Sequence, residues 1–427
     1  MSRQNRRQFL QESAGSLALA ATVSAAPAQN KEKLTVAVIG CGGMGTGHLT
    51  RLVRNKQVQV AYICDPDENR LGKASKIAPQ AKPVGDMRRI FDDKVVDAVW
   101  IATPDHWHAP ATILACQAGK HVYVEKPCCH NIREGRLMIE AARKHKRVVQ
   151  VGTQSRSTAH VIKAIERLKA GAIGEILVAK AWNSQKRRNI GKGKPGKPPP
   201  HLDYDLWVGP ASMVPFQANR LHYNWHWWYN FGTGDMGNDG VHDLDIARWG
   251  LGVDTHPTTI TGIGGKYFFD DDQQFPDTQY VVFEYPGNGK VGQKKQLIYE
   301  HRIWSPYTQE GYENGNAFYG TNGMMILGKG GGWKLFGPRN KLLESAEGGV
   351  DVQAHHENFL TCIRSGNTPS ADIAINHLSS TLCHLGNIAC RLGRMIQFDP
   401  HKETIVGDAE AAALVGREYR KGHWAAL

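Results

Sequence analysis

Short apolar runs alternate with helix-length amphipathic segments from Leu34 to about Thr153. The runs are Val36–Ile39, Val58–Ile63, Val95–Ala102, His121–Val124 and Val148–Val151, and segments such as Pro110–Ala118 and Ile132–His145 separate them. That alternation predicts a parallel, doubly wound sheet with helices on both faces, over residues 34–155. After Gly152 the pattern changes. A helix at Ala159–Ala170 precedes longer strand-like runs, Glu175–Asn183, Thr258–Phe269, Thr278–Glu284 and Lys295–Arg302, broken by glycine-rich and aromatic loops. Helices return at Val352–Ser365 and Ala374–Leu392. Residues 156–427 therefore read as an α+β unit on a large, mostly antiparallel open sheet. Gly191–Pro200, rich in Gly, Lys and Pro, reads as an exposed loop or arm.

Composition narrows the class. The chain has 427 residues, comfortable for two domains, and 41% of them are hydrophobic, enough for a substantial core. No segment beyond the N-terminal region approaches the roughly 20 apolar residues of a membrane span. The formal charge of +12 invites nucleic acid as a partner. The excess is local, however, in Arg3, Arg6 and Arg7 and in the Gln185–Lys197 stretch, and no nucleic-acid-binding motif accompanies it. Asn5-Arg6-Arg7-Gln8-Phe9-Leu10, an Ala-rich stretch and the small residues Ser24–Ala28 read as a twin-arginine export signal within residues 1–33. The expected location is periplasmic or otherwise exported, and the export machinery is an expected partner. The eight cysteines show no zinc-like spacing and read as reduced, mostly buried thiols.

The chemistry begins at Gly40-x-Gly42-x-x-Gly45, at the end of the first apolar run. Gly40 permits a tight turn, Gly42 lets backbone approach a pyrophosphate, and Gly45 lets the next helix pack on the strand. Cys41, Gly43 and Met44 complete the loop, and the helix start directs unpaired N–H groups at phosphates. Asp65 closes the second run, about 20 residues beyond the last glycine, where a carboxylate accepts hydrogen bonds from an adenosine ribose. This is a dinucleotide site on a Rossmann sheet. Asp65 favours NAD, while Arg70 nearby leaves NADP possible.

Three more segments border element ends, where such a fold takes its ligands: Ala102-Thr103-Pro104-Asp-His-Trp-His108, Val124-Glu125-Lys126-Pro127, and Gly237-Asn238-Asp239-Gly-Val-His242-Asp-Leu-Asp245-Ile-Ala-Arg248-Trp249. Lys126 ends a strand pointing into the cofactor crevice, where an ammonium stabilises negative charge developing on a substrate oxygen. With the glycine loop, these segments resemble the Gfo/Idh/MocA family of glucose–fructose oxidoreductase, inositol dehydrogenase and their relatives. The resemblance spans essentially the whole chain after the signal. It implies Thr103, Pro104, His108 and Glu125 on the cofactor side, Lys126 at both the nicotinamide ribose and the substrate hydroxyl, and His242 as the base. It also implies a carbohydrate substrate and a dimer or tetramer.

The chain departs from the family at Asn238, where an aspartate is expected one helical turn before the histidine. Asparagine still forms hydrogen bonds but brings no full charge. Either Asp239 or Asp245 takes over, or the acid–base work differs. The stretch Leu221–Phe231 is unusually aromatic, and Tyr223 and Trp225 suit sugar C–H faces. Gln154 and Arg156, at the domain junction, and Trp182 join them as candidate pocket groups, with Asp239 and Asp245. No metal is expected: His106-x-His108 lacks a third ligand, and His355-His356-Glu357 lacks open-site zinc spacing. Lys186–Lys197 reads as a solvated loop or an oligomer-contact arm.

The expected function is an exported NAD(P)-dependent oxidoreductase moving a hydride between nicotinamide and a sugar, glycoside or polyol carbon. Free cofactor is scarce outside the cytoplasm, so it should be tightly bound and recycled in place. Two alternatives stand: a redox-neutral glycoside hydrolase or lyase using transient oxidation, and a sugar-binding protein with altered catalysis.

Overall fold

The computed structural model describes residues 31–288, 290 and 292–420. The twin-arginine stretch and its cleavage options lie outside the described residues. The first unit contains β1 (Leu34–Ile39), β2 (Val58–Cys64), β3 (Lys82–Val84), β4 (Ala98–Ile101), β5 (His121–Val124) and β6 (Val149–Val151). They form one parallel sheet in the order β3-β2-β1-β4-β5-β6. β3, Lys-Pro-Val, has no apolar alternation and escaped the sequence pattern. The run from Val95 contributes a strand only from Ala98, because Val95 sits exposed before it.

The order reverses between β1 and β4, which opens a crevice at their carboxyl ends. Helices α1 (Gly43–Leu52), α2 (Glu68–Ile77), α3 (Asp105–Gln117) and α4 (Ile132–Lys144) fill the connections. Local chemistry fixes their starts. The Asp67 carboxylate accepts the Asn69 N–H at 2.8 Å, and Asn131 Oδ1 accepts the Glu134 N–H at 3.0 Å.

The second unit opens with α5 (Ala159–Lys169), β7 (Ile176–Asn183) and α6 (Val241–Leu251). It continues through β8 (Thr259–Gly265), β9 (Thr278–Tyr285), β10 (Lys295–Arg302), β11 (Asn314–Gly320), β12 (Met324–Gly328), β13 (Gly332–Gly337) and β14 (Lys341–Ala346). Helices α7 (Val352–Ser365) and α8 (Ile373–Leu392) and the hairpin of β15 (Ile396–Asp399) and β16 (Thr404–Val406) follow. Ten strands form one sheet, β14-β13-β12-β11-β7-β10-β9-β8-β15-β16, antiparallel except for the β7–β10 pair. β8 stops at Gly265, short of Phe269, because the Asp277 carboxylate collects the N–H groups of Tyr267, Phe268 and Phe269 and turns the chain out of the sheet.

The main core lies between this sheet and α5, α6 and α8. α7 goes elsewhere. Its Phe359, Leu360 and Ile363 pack against Trp100 and Tyr123 of the first sheet. Burying Phe359 there contributes roughly 1.5–3 kcal/mol, so a helix from the C-terminal part of the chain completes the N-terminal unit. All eight cysteines are buried and unpaired.

Candidate functional site

A cavity of about 590 Å³ runs from the glycine loop to the start of α6 and lies between the two units. At its first end Gly40 adopts φ +91°, and a Cβ there would stand 2.5 Å from the Ala102 carbonyl oxygen. A Cβ at Gly45 would overlap the Gly40 carbonyl oxygen, so the close strand–helix crossing requires glycine. Asp65 accepts the N–H groups of Cys41 at 2.8 Å and Asp67 at 3.0 Å. Burial raises its carboxyl above the usual carboxylate range, against the opposing pull of Arg70 and these N–H groups. Gly40, Gly42, Gly43, Met44, Asp65 and Arg70 line the cavity, whereas Cys41 turns inward, its thiol 3.5 Å from the Cys64 carbonyl. Bare glycine backbone, a helix N-terminus and a ribose-side carboxylate in one continuous cavity fit a dinucleotide.

The middle of the cavity is built by the ends of β4 and β5. Thr103, Pro104, His108, Glu125 and Lys126 all line it. His108 is fixed between the carbonyls of Pro127 (2.7 Å) and Thr103 (2.9 Å), and burial lowers its proton affinity. Glu125 is 2.9 Å from His48 Nε2, and His48 Nδ1 is 2.9 Å from His356 Nε2. Burial works to raise the Glu125 carboxyl, but the His48 hydrogen bond and then the charge of Lys126 hold it down, to about 2. His356 is therefore a support behind the cofactor wall.

The far end comes from the second unit. Met236–Gly240 forms a π-helical turn that runs directly into α6 and brings Asn238, Asp239 and His242 to the cavity. Lys126 Nζ donates to the backbone carbonyl of Asn238 and, at 3.4 Å, to its Oδ1. Burial, then Lys329 and Lys126, push His242 down to about 3, opposed by Asp239 and Glu125. It is a neutral imidazole at working pH. Asp239 is already engaged by Lys329 Nζ at 2.7 Å, Asn314 Nδ2 at 2.8 Å and Gln185. Despite burial, Lys329 and neighbouring cations hold its carboxyl well below the usual range.

Three sequence candidates lie elsewhere. Arg156 and Asp245 do not line the cavity; they form a buried two-point ion pair at 2.7 and 2.8 Å, and Ser379 donates to Asp245 at 2.6 Å. Trp182 is buried on the sheet against Ala317 and Ile326, with its indole N–H on the Tyr312 carbonyl. Gln154 does line the cavity. The aromatic stretch divides: Tyr223 and Trp225 face the cavity, while Trp227, Trp228 and Phe231 fill a separate core.

Arg187, inside the stretch read as a solvated loop, lines the cavity and pairs with Asp235 at 3.0 Å. The signal that could have found it was its nearness to the end of β7. The same connection straps the cofactor end. Asp203 N–H donates to the Pro66 carbonyl at 3.0 Å, Glu68 N–H to the His201 carbonyl at 3.0 Å, and His222 Nε2 is 2.9 Å from Asp67. Among the described residues, His256, His377 and Glu403 come close enough to share a metal ion. Arg136 already holds Glu403, and both Nδ1 atoms lack the outer hydrogen-bond partner that metal-bound histidines use.

Fold and cleft together define a two-unit, dinucleotide-binding oxidoreductase architecture. The family model for Gfo/Idh/MocA oxidoreductases matches at residues 34–153 for the NAD-binding Rossmann fold, and at 180–291 and 340–426 for the C-terminal alpha/beta domain. The chain belongs to this family, and its cofactor is NAD. It is 29% identical over 258 residues to inositol 2-dehydrogenase 2 of Saccharopolyspora erythraea, a match covering 59% of this chain and 63% of the relative, less than two thirds of its length. It is 24% identical to the scyllo-inositol 2-dehydrogenase (NAD(+)) of Bacillus subtilis, over 79% of this chain and 89% of that one. The fold is similar to that of a levoglucosan dehydrogenase in complex with NADH, with a TM-score of 0.67 at 17% identity, over 86% of this chain and 99% of the other.

Proposed function

We infer that the protein is an exported NAD-dependent oxidoreductase acting on a hydroxyl carbon of a sugar, glycoside or polyol. The observation that carries this reading is the convergence of Lys126, Asn238 and His242 in the same cavity as the glycine loop and Asp65. NAD, when bound, supplies the hydride acceptor. Lys126 donates a hydrogen bond to the substrate oxygen and stabilises charge developing there. His242, a neutral imidazole, accepts the hydroxyl proton. Tyr223 and Trp225 offer ring faces to sugar C–H groups. The substrates named for the relatives, inositols and levoglucosan, support a polyol or anhydrosugar class.

The Arg6-Arg7 signal supports export by the twin-arginine route. The strap between residues 201 and 222 supports a tightly held cofactor, recycled in place. Arg70, lining the ribose end, favours tolerance of NADP. The exposed outer residues of the second sheet, Ile263 and Tyr280 among them, favour a homo-oligomer.

The test is anaerobic absorbance of the cofactor-loaded protein as a panel of sugars, glycosides and polyols is added. A rise in the reduced-nicotinamide band with one class supports the reading and names the substrate. Release of aglycone without a lasting rise would replace it with the redox-neutral hydrolase or lyase. Bound cofactor that no compound reduces would leave only sugar binding.

A further inference from the structure

Asn238 stands where the two units meet, and its amide has two orientations of nearly the same shape. Which one is populated depends on the neighbours. On one side stands Asp235, fully buried and outside the cavity lining, whose Oδ1 accepts from Asn238 Nδ2 at 3.0 Å. The same carboxylate is held by Arg187 Nε at 3.0 Å and Asn183 Nδ2 at 3.1 Å, so it cannot turn away without breaking both bonds. The second amide N–H points at the Tyr223 hydroxyl, 3.4 Å away. Only Oδ1 is left, and it faces Lys126 Nζ at 3.4 Å. The reverse orientation would set Oδ1 against a carboxylate and the NH₂ group against an ammonium, both repulsive.

We propose that Asp235 is a positioning residue: it locks the Asn238 amide with its oxygen toward Lys126 and so aims the lysine ammonium into the cavity. This rests on the reading of Lys126 as the group that meets the substrate oxygen. The lock has a consequence for residue 238. An aspartate there would place two carboxylates about 3 Å apart, a pair that cannot both stay ionised comfortably. Asparagine at 238 is the partner that a buried carboxylate at 235 demands. The carboxylate sits three residues before Asn238, and the lysine donates only to uncharged oxygens of Asn238.

The test uses the full, cofactor-loaded protein. Asp235→Asn permits the amide to reverse and should lower kcat about 10–100-fold, the effect of losing one charge-assisted hydrogen bond at the reacting centre, with KM changed less than about threefold. Asn238→Asp should lower kcat comparably. Arg187 Nε shares the Asp235 oxygen that accepts from Asn238, so the lock is tested by a double-mutant cycle and not by exchanging the two residues. Asp235→Asn/Asn238→Ala should lose no more than about twofold in kcat beyond Asn238→Ala alone, because Asp235 acts through the Asn238 amide, whereas a purely structural role for Asp235 predicts losses that add.

A second readout does not need turnover. Trace acetylation of Lys126, measured by peptide mass spectrometry against exposed Lys163, should rise several-fold in Asp235→Asn and no further in Asp235→Asn/Asn238→Ala. This arm reports on the lock even if no sugar reduces the cofactor, so the two readings fail separately. If Asp235→Asn melts early, Asn238→Asp and Asn238→Ala carry the comparison. Unchanged labelling, or losses that add in the double variant, overturns the proposal.

Discussion

The Lys126 ammonium, at the end of β5, donates to two oxygens of one residue of the other unit, the backbone carbonyl and Oδ1 of Asn238. The proposed reacting centre is thus shared between the two units, and the Lys126–Asn238 contact depends on their packing. Lys126→Met keeps the length of the side chain and removes the charge. The rate of cofactor reduction in a single turnover should fall about 10²–10⁴-fold while cofactor remains bound. A rate within about threefold of the natural chain would remove Lys126 from the chemistry.

Arg156 and Asp245 make the opposite prediction. Their ion pair is buried, with Arg156 and then Arg248 holding the Asp245 carboxyl below its ordinary value against burial. Arg156→Ala should cost about 3–5 kcal/mol of stability, because it breaks the two-point ion pair and leaves the buried carboxylate only the more distant Arg248 and the Ser379 hydroxyl. Denaturant titration reads that loss. A raised KM in a protein of unchanged stability would return Arg156 to the substrate pocket.

Lys329 reaches Asp239 at 2.7 Å and Asp243 at 3.6 Å, on either side of His242 in the chain. After burial it is the foremost influence lowering His242, with Lys126 acting the same way and Asp239 and Glu125 opposing. Lys329→Met removes a positive charge and therefore raises the proton affinity of His242. Because the base works in its neutral form, activity should disappear at a higher pH on the acid side than in the natural chain. The pH profile of kcat/KM checks this, and an acid limb that stays put or moves down contradicts it.

The His222–Asp67 contact closes the strap over the cofactor end. His222→Ala should speed the loss of bound cofactor during gel filtration several-fold. Unaltered retention would assign the holding of the cofactor to the glycine loop alone.

Legibility followed the range of the interaction. The glycine turn, Asp65, the Lys126 segment and the His242 register were readable because each is a local pattern with one chemical purpose. The first sheet, apart from β3, was readable for the same reason, since its runs are largely apolar. β11 to β14 were not, being short, glycine-rich and recognisable as strands only through their partners. Arg187 and Trp182 show the same limit in side chains. A basic, proline-rich stretch reads as solvated until Asp235, 48 positions away, is seen against it. Strand alternation places Trp182 on a face but does not say that Ala317 and Ile326 cover it. Arg156 and Asp245 each look like pocket polar groups until they are found to satisfy one another across 89 positions.

The most direct test of hydride transfer at Lys126 and His242 follows the hydrogen itself. The cofactor-loaded protein is given the reactive sugar or polyol with deuterium on its carbinol carbon, and the cofactor is then analysed by mass spectrometry. The account predicts deuterium on the reduced nicotinamide, with the transfer suppressed in Lys126→Met. A substrate that is consumed while its deuterium goes to solvent, or stays on the product without ever reaching the cofactor, would contradict it.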